Sequence, residues 1–120
     1  MATNANQAYF WSGLGDAGAD TALKIANSNG GVTLEKLIAE RGISMPSFAD
    51  DPQAWAALSK EYAQSASGTV RAVLGPEVRA GSIWQTVELP ALLRNPNVTR
   101  IITVNPTTGA ETTILSRLGR

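Results

Sequence analysis

The chain has 120 residues, 43% hydrophobic and 17% charged, and its ten basic and ten acidic residues balance to a formal net charge of zero. That length suits a single domain around one ordinary core. The composition excludes a highly charged disordered chain, and it argues against a nucleic-acid partner, because a phosphate-backbone binder needs a basic face.

The elements follow in chain order. Asp16 or Asp20 is placed to cap a helix over roughly 17–27, and Asn29-Gly30-Gly31 stops it. Thr33 caps a second helix whose Leu34, Leu37 and Ile38 share one buried face, with Gly42 at its end. Asp51-Pro52 opens a third helix running to about Ala66, with Trp55, Leu58, Tyr62 and Ala66 along one side. After Gly68 the period changes. Residues 69–74 alternate as a strand ending at Gly75-Pro76, and 82–87, rich in Ile, Trp, Thr and Val, read as a second. Glu88 then opens a short helical segment that Asn95-Pro96-Asn97 breaks. Residues 99–104 form a third strand, and a hairpin loop at 105–109 leads into a fourth at 111–115. The expected fold is α+β: N-terminal helices packed with a small C-terminal β-sheet of about four strands, in one domain over residues 1–120. No apolar run is long enough to cross a bilayer, and no signal segment opens the chain, so no membrane is expected as a partner.

Cysteine and histidine are both missing. Thiol nucleophiles, thiolate metal sites, Ser-His-Asp hydrolysis and His-dependent nuclease chemistry go with them, and no metal site is expected. Catalysis has to rest on carboxylates, hydroxyls, arginines, aromatic rings or backbone amides.

Three features carry chemistry. Gly13-Leu14-Gly15-Asp16-Ala17-Gly18 spells G-x-G-x-x-G, but a dinucleotide fingerprint needs a strand before it and a βαβ unit around it. Only Tyr9-Phe10-Trp11 precedes it, so a flexible turn into the first helix is the reading. Of the tryptophans, Trp55 on its amphipathic helix fits core filling. Trp11 lies beside Ser12 and the glycines, where a loop indole can stack on a flat cationic ring. Among the ten acids, Asp16, Asp20 and Asp51 are explained by capping, and Glu40, Glu61, Glu77 and Glu111 read as solvated charges. Glu35 falls in the first turn of its helix. Glu88, between Trp84-Gln85-Thr86-Val87 and Leu89-Pro90, is either a helix-start carboxylate or a functional one.

The order Trp11-Ser12, Thr33-Leu34-Glu35, Trp55 with Ser59 four residues on, then Glu88, resembles the ADP-ribosyl cyclase/cyclic ADP-ribose hydrolase family from about Tyr9 to Val104. The resemblance implies that Glu88 is the catalytic glutamate contacting the ribose hydroxyls beside the scissile bond of NAD. Trp11 and Trp55 would flank the nicotinamide. Glu35 would line the pocket and bias hydrolysis against cyclisation. Ser12, Ser59 and the backbone around Ile83 and Trp84 would lie near the ribose and diphosphate. The family pattern has a basic residue after Trp-Ser, where this chain has Gly13, which puts one diphosphate contact in doubt. Animal members are built around disulfides, and this chain has no cysteine. It therefore looks like a bacterial toxin module, at the C-terminal end of a larger effector, as in contact-dependent inhibition. Such a module is secreted or delivered by one bacterium, acts in the cytoplasm of the target cell and is blocked by a cognate immunity protein.

The implied activity is NAD(+) glycohydrolysis to nicotinamide and ADP-ribose, or to cyclic ADP-ribose, with NAD as substrate and no cofactor. That reaction suits the composition. Nicotinamide departs neutral from a pyridinium cation, so no general acid has to protonate it, and the usual glycosidase pair reduces to one carboxylate. A fixed carboxylate in a dry pocket can stabilise the oxocarbenium-like ribose. The rival readings are an ADP-ribosyltransferase acting on a protein, which predicts label transfer from NAD, and a non-enzymatic interaction module, which predicts no loss of NAD.

Overall fold

The computed structural model describes residues 3–14, 18–47, 49–76, 78 and 80–117. Gly15, Asp16 and Glu77, and with them the Asp16 cap and part of the glycine motif, lie outside these residues. Five strands and four helices alternate along the described chain: β1 (Ala8–Ser12), α1 (Gly18–Ser28), β2 (Val32–Thr33), α2 (Leu34–Glu40), α3 (Pro52–Gln64), β3 (Gly68–Leu74), α4 (Leu89–Arg94), β4 (Val98–Val104) and β5 (Glu111–Ser116). A π-helical turn, Trp84–Glu88, runs directly into α4.

The strands form one mixed sheet in the order β2-β1-β3-β4-β5. β1 pairs in parallel with β2 and with β3, β3 pairs in parallel with β4, and only β5 is antiparallel. The fold is α+β, with five strands in place of the expected four. Helices and strands interleave; the helices do not precede the sheet. Parallel pairing requires this, because each parallel neighbour is reached by a crossover and not by a hairpin.

β1 was the strand hidden in the sequence. Its side chains are buried on both faces, Ala8 and Phe10 in the larger core and Tyr9 in the smaller one, so it lacks polar alternation. β2 has two residues, too few for a pattern. With β1, α1 and a parallel β2 in place, the glycine motif does sit in a βαβ unit.

Local signals explain the helices. Thr33 accepts from the Lys36 N–H at 3.3 Å and Asp51 from the Ala54 N–H at 3.0 Å, each satisfying an orphan donor of a first turn. Asp20, an expected cap, lies instead inside the first turn of α1, because that helix already begins at Gly18; there the acid faces the positive end of the helix dipole.

Residues 82–87, expected as a strand, are not one. Ser82 organises a helical entry: its Oγ accepts from the Gln85 N–H at 3.2 Å, and its carbonyl accepts from the Thr86 N–H at 2.9 Å and the Thr86 hydroxyl at 2.8 Å. Pro90 has no N–H to offer the turn before it, and the helix widens there, with the Leu89 N–H donating to the Trp84 carbonyl. Burial of Trp84 outweighs the β propensity of Ile83, Thr86 and Val87.

Two layers cover the sheet. α2, α3, the π-turn and α4 pack on one face around Phe10, Leu37, Tyr62, Val70, Trp84, Leu92 and Ile101. α1 covers the other, where Tyr9, Ala26, Val73, Ile102 and Val104 cluster. Among the described residues no helix is long and apolar enough to cross a membrane, and no cluster of acidic side chains could hold a metal ion.

Candidate active site

β1 is a topological switch point. The chain leaves it through α1 to β2 on one side, while β3 lies on the other. In open sheets with parallel strands, ligands settle beyond the carboxyl ends of the strands at such a point. Three candidate groups arise there. Trp11 and Ser12 end β1, Glu35 follows two residues after β2, and Glu88 lies on the helical segment reached after β3. Gly75, just past β3, approaches the Gly13 backbone so closely that a Cβ would collide with the Gly13 carbonyl, and Gly13 itself has φ 71°, which favours glycine. The ends of β1 and β3 are thereby held together beneath the site.

The Trp11 indole N–H donates to Glu35 Oε1 at 3.1 Å, so the acid sets the orientation of the ring. On its other side the ring lies against α1 at Gly18. A Cβ there would overlap the Trp11 ring, with Cε3 at 2.8 Å. Gly18→Ala is expected to displace the indole, cost roughly 1–3 kcal/mol by overpacking and alter the tryptophan emission. Denaturation coupled to fluorescence measures both, and an unchanged midpoint and spectrum would contradict this packing.

Glu88 is only 7% exposed. Burial first, and the neighbouring Glu35 charge second, push its pKa up to about 8. A buried acid beside a like charge is costly to ionise and gains the most from a cation brought beside it. The Tyr62 phenol is close enough to feel both acids: burial raises its pKa most, and the charges of Glu88 and Glu35 raise it further.

α3 supplies the remaining expected residues. Ser59 is buried on the inner face together with Tyr62, and Trp55 lies one turn before it. The Trp55 indole is half-buried against the larger core, and its N–H donates to the Pro46 carbonyl at 2.7 Å, which ties the 43–51 connector to α3. Among the described residues, no hydrogen bond or ring contact links Trp55 to Trp11, Glu35 or Glu88. Ile83 is half-exposed at the entry to the π-turn. The Trp84 side chain is 2% exposed and packs on Phe10, with ring centroids 5.8 Å apart, so its indole belongs to the core.

Trp11 and Glu35 are thus hydrogen-bonded, and Glu35 and Glu88 are electrostatic neighbours. The Trp55 indole is held by Pro46 and not by a hydrogen bond to this group. Tyr62 is the residue that sequence reasoning left in the core; its one signal was a hydroxyl three residues after Ser59 on the same helix face. A groove of about 510 Å³ on the outer side of the π-turn, walled by Lys60, Gln64, Thr86 and Arg94 among others, does not include either acid.

No family model and no curated protein matches the chain. Solved structures do. The chain is similar to Aplysia cyclase complexed with substrate NGD and product cGDPR, at 28% identity and a TM-score of 0.64. It is similar to an ADP-ribosyl cyclase complexed with N1-cIDPR, at 27% identity and a TM-score of 0.64. A glutamate-to-alanine mutant of an ADP-ribosyl cyclase matches at 26% identity and the same TM-score of 0.64. Each likeness covers 84% of this chain and 49% of the other, so the chain spans about half the length of these cyclases. The likeness supports the ADP-ribosyl cyclase fold for the described residues.

Proposed function

We propose that the domain cleaves the bond between nicotinamide and ribose in NAD, with Glu88 as the catalytic carboxylate. The observation that carries this reading is a buried carboxyl group beside a second acid and an oriented indole, at the switch point of a cyclase-like sheet. In the reaction the glycosidic electron pair leaves with nicotinamide, which departs neutral, and positive charge develops at the ribose C1′. Ionised Glu88 stabilises that charge. Because burial makes the carboxylate costly to ionise in the free protein, its charge gains most from the cationic ring and the cationic transition state. Water then adds to C1′ and releases a proton, giving ADP-ribose. Attack by the adenine of the same molecule gives the cyclic product instead.

Trp11 is the ring that stacks on nicotinamide, and Glu35 fixes its edge. Trp55 joins the other wall, and Ser12, Ser59 and the backbone at Ile83 and Trp84 lie toward the ribose and diphosphate. Hydrolysis is the preferred outcome because Glu35 is present. Removing Glu35 also removes a repulsive charge from Glu88. Glu35→Gln is therefore expected to move the rise of kcat/KM to lower pH and to increase the share of cyclic product several-fold. An unchanged profile and product ratio would contradict both roles.

Depletion of NAD suits an effector toxin acting in a target cytoplasm and held off by an immunity protein, and a chain without cysteine folds without disulfides in a reducing compartment. The reading is tested by chromatography of NAD incubated with the purified chain. Nicotinamide with ADP-ribose or its cyclic form is expected, and intact NAD after prolonged incubation would overturn it.

A further inference from the structure

Tyr62 is fully buried on α3, yet its hydroxyl reaches the seam between β1 and β2. The Tyr9 N–H donates to it at 3.2 Å, and it donates to the Val32 carbonyl at 2.9 Å, with the Tyr9 carbonyl also at 3.2 Å. In this parallel pair, the Val32 N–H already donates to the Gln7 carbonyl at 2.9 Å. The next rung of such a ladder joins the Tyr9 N–H to the Val32 carbonyl, and those are the two groups the phenol bridges. The pairing of Ala8 with Val32 and of Tyr9 with Thr33 keeps that rung, and a side chain from the covering helix braces it.

The position matters for the site. β2 ends one residue after Val32, Thr33 caps α2, and Glu35 sits in the first turn of that helix. Trp11 is two residues beyond Tyr9 on β1. The phenol therefore sets the separation between the strand that carries the indole and the strand that launches the acid, and the indole–acid hydrogen bond closes across that gap. The ring of Tyr62 is itself fixed by Phe10, with centroids 4.9 Å apart. An edge strand of two residues has few contacts of its own to hold it.

We propose that Tyr62 is a positioning residue that holds β2 and α2 at the distance from β1 where Glu35 grips Trp11 and faces Glu88. Its significance for turnover rests on the NAD-cleaving reading above; its effect on the Trp11–Glu35 bond does not. Tyr62 touches no reacting atom.

The test is Tyr62→Phe, which keeps the ring against Phe10 and removes only the hydroxyl. In ¹H–¹⁵N spectra the Trp11 indole N–H, assigned with a Trp11→Phe chain, is expected to shift toward the position it takes in Glu35→Gln, while the Trp55 and Trp84 signals stay in place. With NAD, kcat is expected to fall about tenfold with KM nearly unchanged, since a positioning error acts mainly on the transition state. The product ratio is expected to move in the same direction as in Glu35→Gln. An unmoved Trp11 signal in the folded variant overturns the proposal whether or not the chain consumes NAD, so that failure is separate from failure of the proposed activity. If the Phe variant does not fold, p-aminophenylalanine in place of Tyr62, which keeps a donor toward Val32, takes its place. It is expected to keep the wild-type Trp11 signal, and a signal displaced as in Glu35→Gln overturns the proposal.

Discussion

Glu88→Gln is expected to lose nicotinamide release from NAD by about 10²–10³-fold, the usual effect of deleting one preorganised electrostatic group from a dry site. The same substitution is expected to make the fold less sensitive to pH. In the folded chain the Glu88 carboxyl titrates at about 8 against an ordinary value of 4.5. Between those two values the folded state holds a proton that the unfolded state has released. Stability therefore falls as pH rises through that window, and it is level above it. Glutamine carries no such proton. The stability of the Gln variant relative to wild type is expected to improve steadily from pH 5 to pH 8, by an amount on the order of a few kcal/mol. Urea unfolding at several pH values measures this. A constant difference between the two chains would mean that Glu88 is ionised as easily in the fold as in water. A variant that loses activity while its fold gains at high pH separates a functional acid from a structural one.

The second large effect is structural. Asn95, between α4 and β4, is buried, and its amide nitrogen lies 3.0, 3.1 and 2.8 Å from the carbonyls of Ala63, Gln64 and Ala66. Its Oδ1 accepts from the Asn97 N–H at 2.9 Å. One side chain thus closes the C-terminal end of α3 and shapes the turn into β4. Asn95→Ala leaves buried carbonyls and an N–H without partners and is expected to cost about 2–4 kcal/mol. For a domain whose whole stability is of order 5–15 kcal/mol, that is a large share. The urea midpoint should drop with the slope unchanged, and a loss below about 1 kcal/mol would show that water replaces the amide at little cost. Arg117 supports the same corner by donating to the Leu93, Asn95 and Val98 carbonyls at 2.6–2.8 Å.

These residues also show what the sequence reveals and what it hides. Caps are local, so Thr33 and Asp51 mark the starts of α2 and α3 correctly. The last two strands and their hairpin are legible because β4 and β5 are neighbours in sequence and in space. β1 is hidden because a strand buried on both faces reads as a plain apolar run, and with it go the parallel order of the sheet and the βαβ setting of the glycines. The π-turn misleads because Ile83, Thr86 and Val87 favour strands, while Pro90, just past the turn, and the core that buries Trp84 decide the outcome. Glu88 and Glu35 stand out by elimination, but their proximity is a property of the fold. So is the tie between Trp55 and Pro46, and so is the bracing of the β1–β2 rung by Tyr62.

Glu88, a buried acid beside Glu35, is proposed to break the nicotinamide–ribose bond of NAD. The pH dependence of kcat/KM for nicotinamide release reports the groups of the free protein. It is expected to rise with pH to a plateau, with an apparent pKa near the value of about 8 set by burial and Glu35. A rate independent of pH from 5.5 to 9.5, or no release of nicotinamide at any pH, would contradict it.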